Sequence, residues 1–252
     1  MAYLPKRKLV SRPFQQPQDE EVFPMRINKY LALKKYSTRR GADALIETGQ
    51  VFINDKLAVL GDKVHEGDVV DVRFKGKQKH LVYYAYNKPR GVLTHSAKPG
   101  EKDIKGEVSV PGVFPIGRLD KDSSGLMILT NDGRITERLL HPRFDHEKEY
   151  EVTTKEKLRS SFKAKMEAGV RIEYETTKPC KVTIIDEHTF RVTLTEGKKH
   201  QVRRMCVALF QEVRTLKRIR IMNIRLNNLP EGAHRAIEGA ECTEFLKLLD
   251  LI

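Results

Sequence analysis

Cysteine is scarce in this sequence: Cys180, Cys206 and Cys242 are the three, far apart in a chain of 252 residues. An odd, dispersed set makes neither a disulfide framework nor a zinc site, and reads as free thiols in a reducing compartment. A cytoplasmic location is therefore expected. No apolar run approaches the roughly 20 residues that span a bilayer. No signal-peptide pattern is present, so no membrane partner is expected. Also missing are a Gly-rich phosphate loop and a dinucleotide fingerprint, which leaves no cofactor to predict. Acid is in short supply, with 34 Asp+Glu against 47 Lys+Arg and a formal charge of +13. That excess says nothing about fold but favours a polyanionic partner. The hydrophobic fraction of 39% is adequate for a core, and the length suits one large domain or two smaller ones.

Residues 1–24 read as a flexible extension, with Lys6-Arg7-Lys8, four prolines (Pro5, Pro13, Pro17, Pro24) and a polar stretch from Gln15. Residues 25–74 form a unit. Ile27, Tyr30 and Leu31 recur at helical spacing. Ser37-Thr38 can cap a second helix that Gly49 ends. Strands are expected at 51–53 and 68–73, with a turn at Asn54-Asp55. Six bases and no acid lie between Met25 and Arg40, one-sided charge that suits phosphate contact through Arg26, Lys29, Arg39 and Arg40. The strings Arg-x-Asn-Lys-Tyr-Leu, Ser-Thr-Arg-Arg and Ile-x-x-Gly-x-Val-x-Ile-Asn make this unit resemble an S4 RNA-binding domain. Residues 75–80 are polar, basic and free of apolar side chains, and read as a linker.

Residues 81–252 read as a second domain of alternating strands and turns. A hairpin is expected from strand 82–86, turn 87–91 and return strand 92–94, followed by a polar loop at 96–110. The central stretch is Pro115-Ile-Gly-Arg-Leu-Asp-Lys-Asp-Ser-Ser-Gly-Leu-Met-Ile-Leu-Thr130. A short apolar approach leads into a loop bearing Arg118, Asp120 and Asp122, and the buried run 126–129 follows. Buried anchors on both sides of a loop are where a chemically used carboxylate is normally placed. Further on, helices are expected at 135–140, 156–169 and 243–249, a strand at 146–153 and a hairpin across 180–195. From Lys198 to Arg225 there are nine Lys/Arg against one acid, Glu212. That imbalance suggests a second RNA-facing surface carrying Lys198, Lys199 and Arg204. His141, Asp145 and His146 are poorly spaced for a metal, and no metal site is predicted.

Gly117-Arg118-Leu119-Asp120, then Asp122-Ser-x-Gly-Leu and Leu-Thr-Asn-Asp-Gly, closely resemble the signature loop of the RsuA/RluB/RluE/RluF family of pseudouridine synthases. The turn Asn87-Lys-Pro-Arg-Gly91, the Lys-x-Tyr-x-Val strand motif around Tyr150 and the string His200-Gln-Val-Arg-Arg-Met205 match as well. The resemblance implies an α+β chain: an S4 domain joined by the linker to a catalytic domain on a mixed, mainly antiparallel sheet flanked by helices. It implies that Asp120 is the catalytic carboxylate, that Tyr150 stacks on the detached uracil, and that Arg203 is the base paired with Asp120. Arg118 would fill the gap left by an extruded uridine. Either route open to Asp120, nucleophile at C1′ or base at C2′, needs an ionised carboxylate, which a neighbouring cation would hold. The strings around Tyr150 and Met222 are most similar to the RluF branch, which acts on the peptidyl-transferase region of large-subunit rRNA. In that branch an Arg stands at the place of His200. A 16S rRNA or tRNA substrate is the alternative target, and a monomer is expected. The rival readings are an idle RNA-binding or ribosome-assembly protein, and a metal-dependent nuclease using Asp120, Asp122 and Asp132.

Overall fold

The computed structural model describes residues 21–34, 36–73, 80–95 and 100–252. Most of the expected N-terminal extension (1–20), Lys35, linker residues 75–79 and part of the polar loop (96–99) lie outside the described residues.

The N-terminal unit runs β1 (Met25–Arg26), α1 (Ile27–Leu33), α2 (Arg39–Glu47), β2 (Val51–Ile53), β3 (Lys56–Leu57), β4 (Lys63–Val64) and β5 (Val70–Val72). The Thr38 hydroxyl accepts from the Gly41 amide at 3.0 Å, one of the free donors that every helix start leaves. Gly49, at φ +67°, lets the chain leave the helix in a conformation that side chains resist. Ile27, Leu31, Ala42, Ile46, Val51 and Val64 close a small core. The bases of α1 and α2 are left outside it.

The larger unit continues β6 (Tyr83–Lys88), α3 (Ile104–Glu107), β7 (Phe114–Ile116), β8 (Ser124–Thr130), α4 (Arg134–Leu140) and β9 (Lys148–Thr154). Then come α5 (Phe162–Glu167), β10 (Arg171–Ile172), β11 (Glu175–Thr176), β12 (Lys181–Ile184) and β13 (Thr189–Leu194). The chain ends with α6 (Gln201–Ala208), β14 (Val213–Ile221), β15 (Ile224–Arg225), β16 (His234–Ala236) and α7 (Gly239–Leu248). One sheet organises the unit in the order β12-β13-β9-β14-β8-β6-β16, with β15 added to β14 and β7 to β8. Its described pairings are antiparallel except β14 with β8.

Strand β8 sits inside this sheet, and Leu126, Met127, Ile128 and Leu129 are each fully buried. Leu126 and Ile128 face a cluster completed by Ile135 and Leu139 of α4 and Phe245 of α7. Met127 and Leu129 face Tyr86, Val92 and Ile104 on the other side. Burial on both faces is why the strand reads as a continuous apolar run rather than an alternation. The far half of the sheet packs Val152, Phe190 and Val192 against Phe162 and Met166 of α5 and Met205 and Cys206 of α6.

Two expectations need correction. Residues 92–94 are not a return strand: β6 pairs with β8 and β16 instead, and Leu93 makes only an isolated bridge to Asp103. The Gly91 amide is drawn to the carbonyl of Lys121, so the turn after β6 is packed beneath the Asp120 loop. The helix expected across 156–169 forms only at Phe162–Glu167. The amides of Lys155 and Leu158 are bonded to the carbonyls of Glu212 and Glu187, which tie this stretch to the chain before β14 and to the β12–β13 turn, and the helix starts only beyond those contacts.

Candidate active site

The segment from Gly117 to Ser123 joins β7 to β8 and is fixed at both ends. Leu119 is buried, its amide donating to the Thr94 hydroxyl, which donates in turn to the Leu119 carbonyl at 2.8 Å. The Ser123 amide closes a turn on the Asp120 carbonyl at 3.1 Å. Gly125 has φ +107°, and an added Cβ would lie 2.3 Å from the Arg218 carbonyl oxygen, so only glycine fits against β14 here. With its neighbours anchored, the Asp120 side chain stays about one third exposed, at the open edge of the sheet.

Cations meet this loop from two directions. Lys88, fully buried at the end of β6, donates to the carbonyls of Ser123 (2.8 Å) and Pro89 (2.9 Å). Burial pushes its ammonium down to about 8. Asp120 and Asp122 pull it back up and Arg218 presses it further down. Arg203, on α6, donates to the Asp122 carbonyl at 3.0 Å and the Ser123 hydroxyl at 3.3 Å. His200 stands at the head of the same helix with Nε2 3.6 Å from Asp120 Oδ1. Residues three apart share a helix face, so α6 presents His200 and Arg203 to opposite ends of one short loop.

Tyr150 lies in β9 opposite Arg218 of β14, which is beside Gly125 of β8. The phenol-bearing residue is therefore two strands, about 10 Å, from the foot of the loop. It is half-buried against the far core. Arg218 is 4% exposed; its Nε donates to the Leu126 carbonyl, and its buried Nη2 finds no partner. Lys148, also buried, is lowered to about 8 by burial and by the charge of Arg218. Arg118 is exposed and makes no hydrogen bond or ion pair among the described residues.

The structure thus brings Asp120, Arg203 and Arg118 to one loop and places Tyr150 on the sheet beside it. It differs from expectation in one pairing. The Arg203 guanidinium takes the loop backbone and a hydroxyl, and the side chain that the structure sets beside the Asp120 carboxylate is the His200 imidazole. Lys88 fixes the adjoining Ser123 carbonyl, so the Asp122 carbonyl and the Ser123 hydroxyl beside it are steady acceptors for the guanidinium. The acidic trio of the nuclease alternative does not assemble. Asp132 is 3% exposed and bound to Arg134 and to the Tyr83 hydroxyl; burial opposes its charge, and Arg134 outweighs burial and holds the carboxyl below its usual range.

Residues 82–208 match the family model described as RNA pseudouridylate synthase, and residues 25–70 match the S4 domain. The chain belongs to the RNA pseudouridylate synthase family. It is 41% identical over 232 residues to the dual-specificity RNA pseudouridine synthase RluF of Escherichia coli strain K12, covering 90% of this chain and 80% of that one. It is 33% identical to the ribosomal large subunit pseudouridine synthase B of Bacillus subtilis, covering 89% and 97% respectively. A solved pseudouridylate synthase crystal structure superposes with TM-score 0.65 at 30% identity, over 89% of this chain and 99% of that one. The synthase is an α+β enzyme that acts on RNA, with an S4 domain at its N-terminal side.

The bases expected to face RNA divide. Arg26, Lys29, Arg39 and Arg40 of the S4 domain are exposed and form no ion pair among the described residues. Lys199 is exposed as well, but Lys198 and Arg204 are not free. Lys198 is bound to Glu175 and lies 3.6 Å from Glu196, and Arg204 is bound to Glu173 at 2.9 Å. Glu173 and Glu175 arrive on the β10–β11 hairpin and Glu196 just after β13, all outside the window in which the charge excess was counted. Sequence reasoning missed Lys88, Thr94, His200 and Arg218 as parts of the site. Lys88 and His200 stood within quoted motifs. Thr94 and Arg218 carried no separable signal, because their roles arise from contacts with residues distant along the chain, Leu119 and Leu126.

Proposed function

We propose that this synthase converts a uridine of large-subunit ribosomal RNA to pseudouridine, with Asp120 as the catalytic carboxylate. The observation that carries the reading is a single part-exposed carboxylate on a loop pinned from below by Lys88 and from the side by Arg203. Pre-positioned groups around an exposed carboxylate are what attack on a sugar requires. The uridine leaves its stack, and Arg118, exposed and unpaired, is placed to fill the gap. Asp120 then acts on the ribose, as nucleophile at C1′ or as base at C2′. The N1–C1′ bond breaks, the uracil turns on Tyr150, and C5 bonds to C1′. The proton on C5 passes to solvent, N1 gains one, and Asp120 is restored.

The large-subunit target rests on the name of the B. subtilis relative. The E. coli relative is named for dual specificity, which supports a second RNA substrate, and a tRNA stem-loop is the one proposed here. The open S4 bases and Lys199 would hold either RNA through phosphates and shape. Tritium release from RNA labelled at uracil C5 tests the chemistry. The wild type should release label, and Asp120→Asn should lose on the order of 10⁴-fold in rate, the scale seen when a catalytic carboxylate is replaced. Full activity in Asp120→Asn removes the assignment. Release from tRNA but not from large-subunit rRNA moves the target and leaves the residue in place.

A further inference from the structure

The assignment of Asp120 raises the question of what aims its carboxylate, and the answer rests on that assignment. The arginine that the motif suggests is bound to Asp122 and Ser123 instead. His200 sets its Nε2 3.6 Å from Asp120 Oδ1. The backbone of His200 is left-handed, at φ 52° and ψ 29°, a region that residues with a β-carbon avoid. It occupies the cap position of α6 without capping the helix. Gln201, the first helical residue, ties down the preceding turn, accepting from the Lys198 amide at 2.9 Å and donating to the buried Glu196 at 2.7 Å. The His200 carbonyl accepts the first helical bond, from the Arg204 amide at 2.9 Å, while the imidazole, which caps nothing, is set beside the loop. Strain of this kind persists where the surroundings over-determine it, commonly at functional sites. The ring is half exposed.

We propose that His200 is a positioning residue for the isomerisation. Its imidazole engages Oδ1 of Asp120, fixing the carboxylate so that Oδ2 is presented to the ribose. Arg203 holds the other end of the same loop through Asp122 and Ser123. The distance of 3.6 Å is that of a loose contact. Catalytic contacts of this type are long in the empty enzyme and shorten when substrate displaces water.

The test compares His200→Gly, His200→Ala and His200→Asn with wild type in single-turnover tritium release, with RNA dissociation constants measured in parallel. Glycine accepts the left-handed backbone without strain, so His200→Gly folds at least as firmly as wild type and isolates the side chain. The expected result is a rate loss on the order of 10- to 100-fold in His200→Gly and His200→Ala, the scale of a misaimed catalytic group, with RNA affinity within about twofold. His200→Asn, which keeps a donor and tolerates the backbone, should recover part of the rate. Millimolar imidazole should restore part of it to His200→Gly. An unchanged rate in His200→Gly overturns the proposal. Equal losses in rate and affinity overturn it too, and reassign the ring to phosphate contact. A dead Asp120→Asn alongside a fully active His200→Gly removes the role of His200 alone; a fully active Asp120→Asn removes the reading on which it stands.

Discussion

Two stretches of this chain look alike when charge is counted and behave differently when folded. Residues 25–40 and residues 198–225 are both rich in Lys and Arg and poor in acid. In the first, Arg26, Lys29, Arg39 and Arg40 stand exposed without partners among the described residues. In the second, Lys198 and Arg204 are bound by Glu175 and Glu173, Arg220 by Glu149 and Glu147, and Arg218 is buried in the sheet. In the S4 unit Lys34 is met by an acid, Glu21 at 2.6 Å, and the excess carried by the other four bases is a surface property. The catalytic sheet brings β9, β14 and the β10–β11 hairpin together, and acids from one neutralise bases of another. A run of like charge reports an RNA-binding face only where the fold supplies no counter-charge.

The comparison sharpens most at Arg220. Its Nε and Nη2 bind Glu149 at 2.8 Å and Glu147 at 2.9 Å, and its side chain is only 14% exposed. Burial works against its charge, and the two carboxylates outweigh burial and raise its pKa. Arg220→Leu leaves both acids behind and should cost about 3 kcal/mol of stability. Urea unfolding will show this as a lower midpoint with an unchanged slope. The S4 bases should behave in the opposite way. Arg39→Ala with Arg40→Ala should weaken RNA binding about tenfold at low salt and make the salt dependence shallower by roughly 1.5 charges. Stability should shift by no more than about 0.5 kcal/mol. An unchanged salt slope would break the contrast.

A third expectation concerns pH. Lys88 and Lys148 are lowered to about 8, chiefly by burial. Between about 8 and the ordinary lysine value, the unfolded chain binds more protons than the folded one, so stability rises with pH across that window. Cys180 and Cys206, pushed up by burial to about 11 and about 12, oppose this above pH 9, because unfolded thiols ionise first. Unfolding at pH 8 and pH 9 should therefore show a gain of about 1 kcal/mol. Most of that gain should disappear in Lys148→Met, because each lysine supplies about 1 kcal/mol and the thiols take back the larger part of one. The smallest effect is expected from Glu173→Gln with Glu175→Gln. Exposed pairs contribute about 0–1 kcal/mol, so freeing Lys198 and Arg204 should tighten RNA binding by about two- to fourfold in a filter-binding titration.

The sequence made legible whatever depends on local physics. The Thr38 cap, the Asn54-Asp55 turn, the all-apolar β8 and the Asp120 loop between buried anchors follow from short-range spacing, and the structure places them as read. What could not be read was set by partners distant along the chain. The turn after β6 is captured by Lys121, the start of the helix at Phe162 is delayed by Glu187 and Glu212, and the bond from Arg218 to Leu126 spans 92 residues. The site divides along the same line. Motif residues were named in advance, whereas the contacts that orient Asp120 come from Lys88, from Thr94 and from the turned backbone of His200.

Strand β14 lies parallel to β8 and seats its Arg218 backbone against the side-chain-free edge of Gly125. The Asp120 loop ends at that seam, yet its neighbour is encoded some 90 residues later. During synthesis, then, the motif that defines the enzyme leaves the ribosome long before the strand that completes its footing. A nascent chain halted ahead of Val213 would carry the signature loop and lack the wall it leans on. Competence to modify RNA is in this sense acquired late, when the C-terminal third has been threaded between strands already in place.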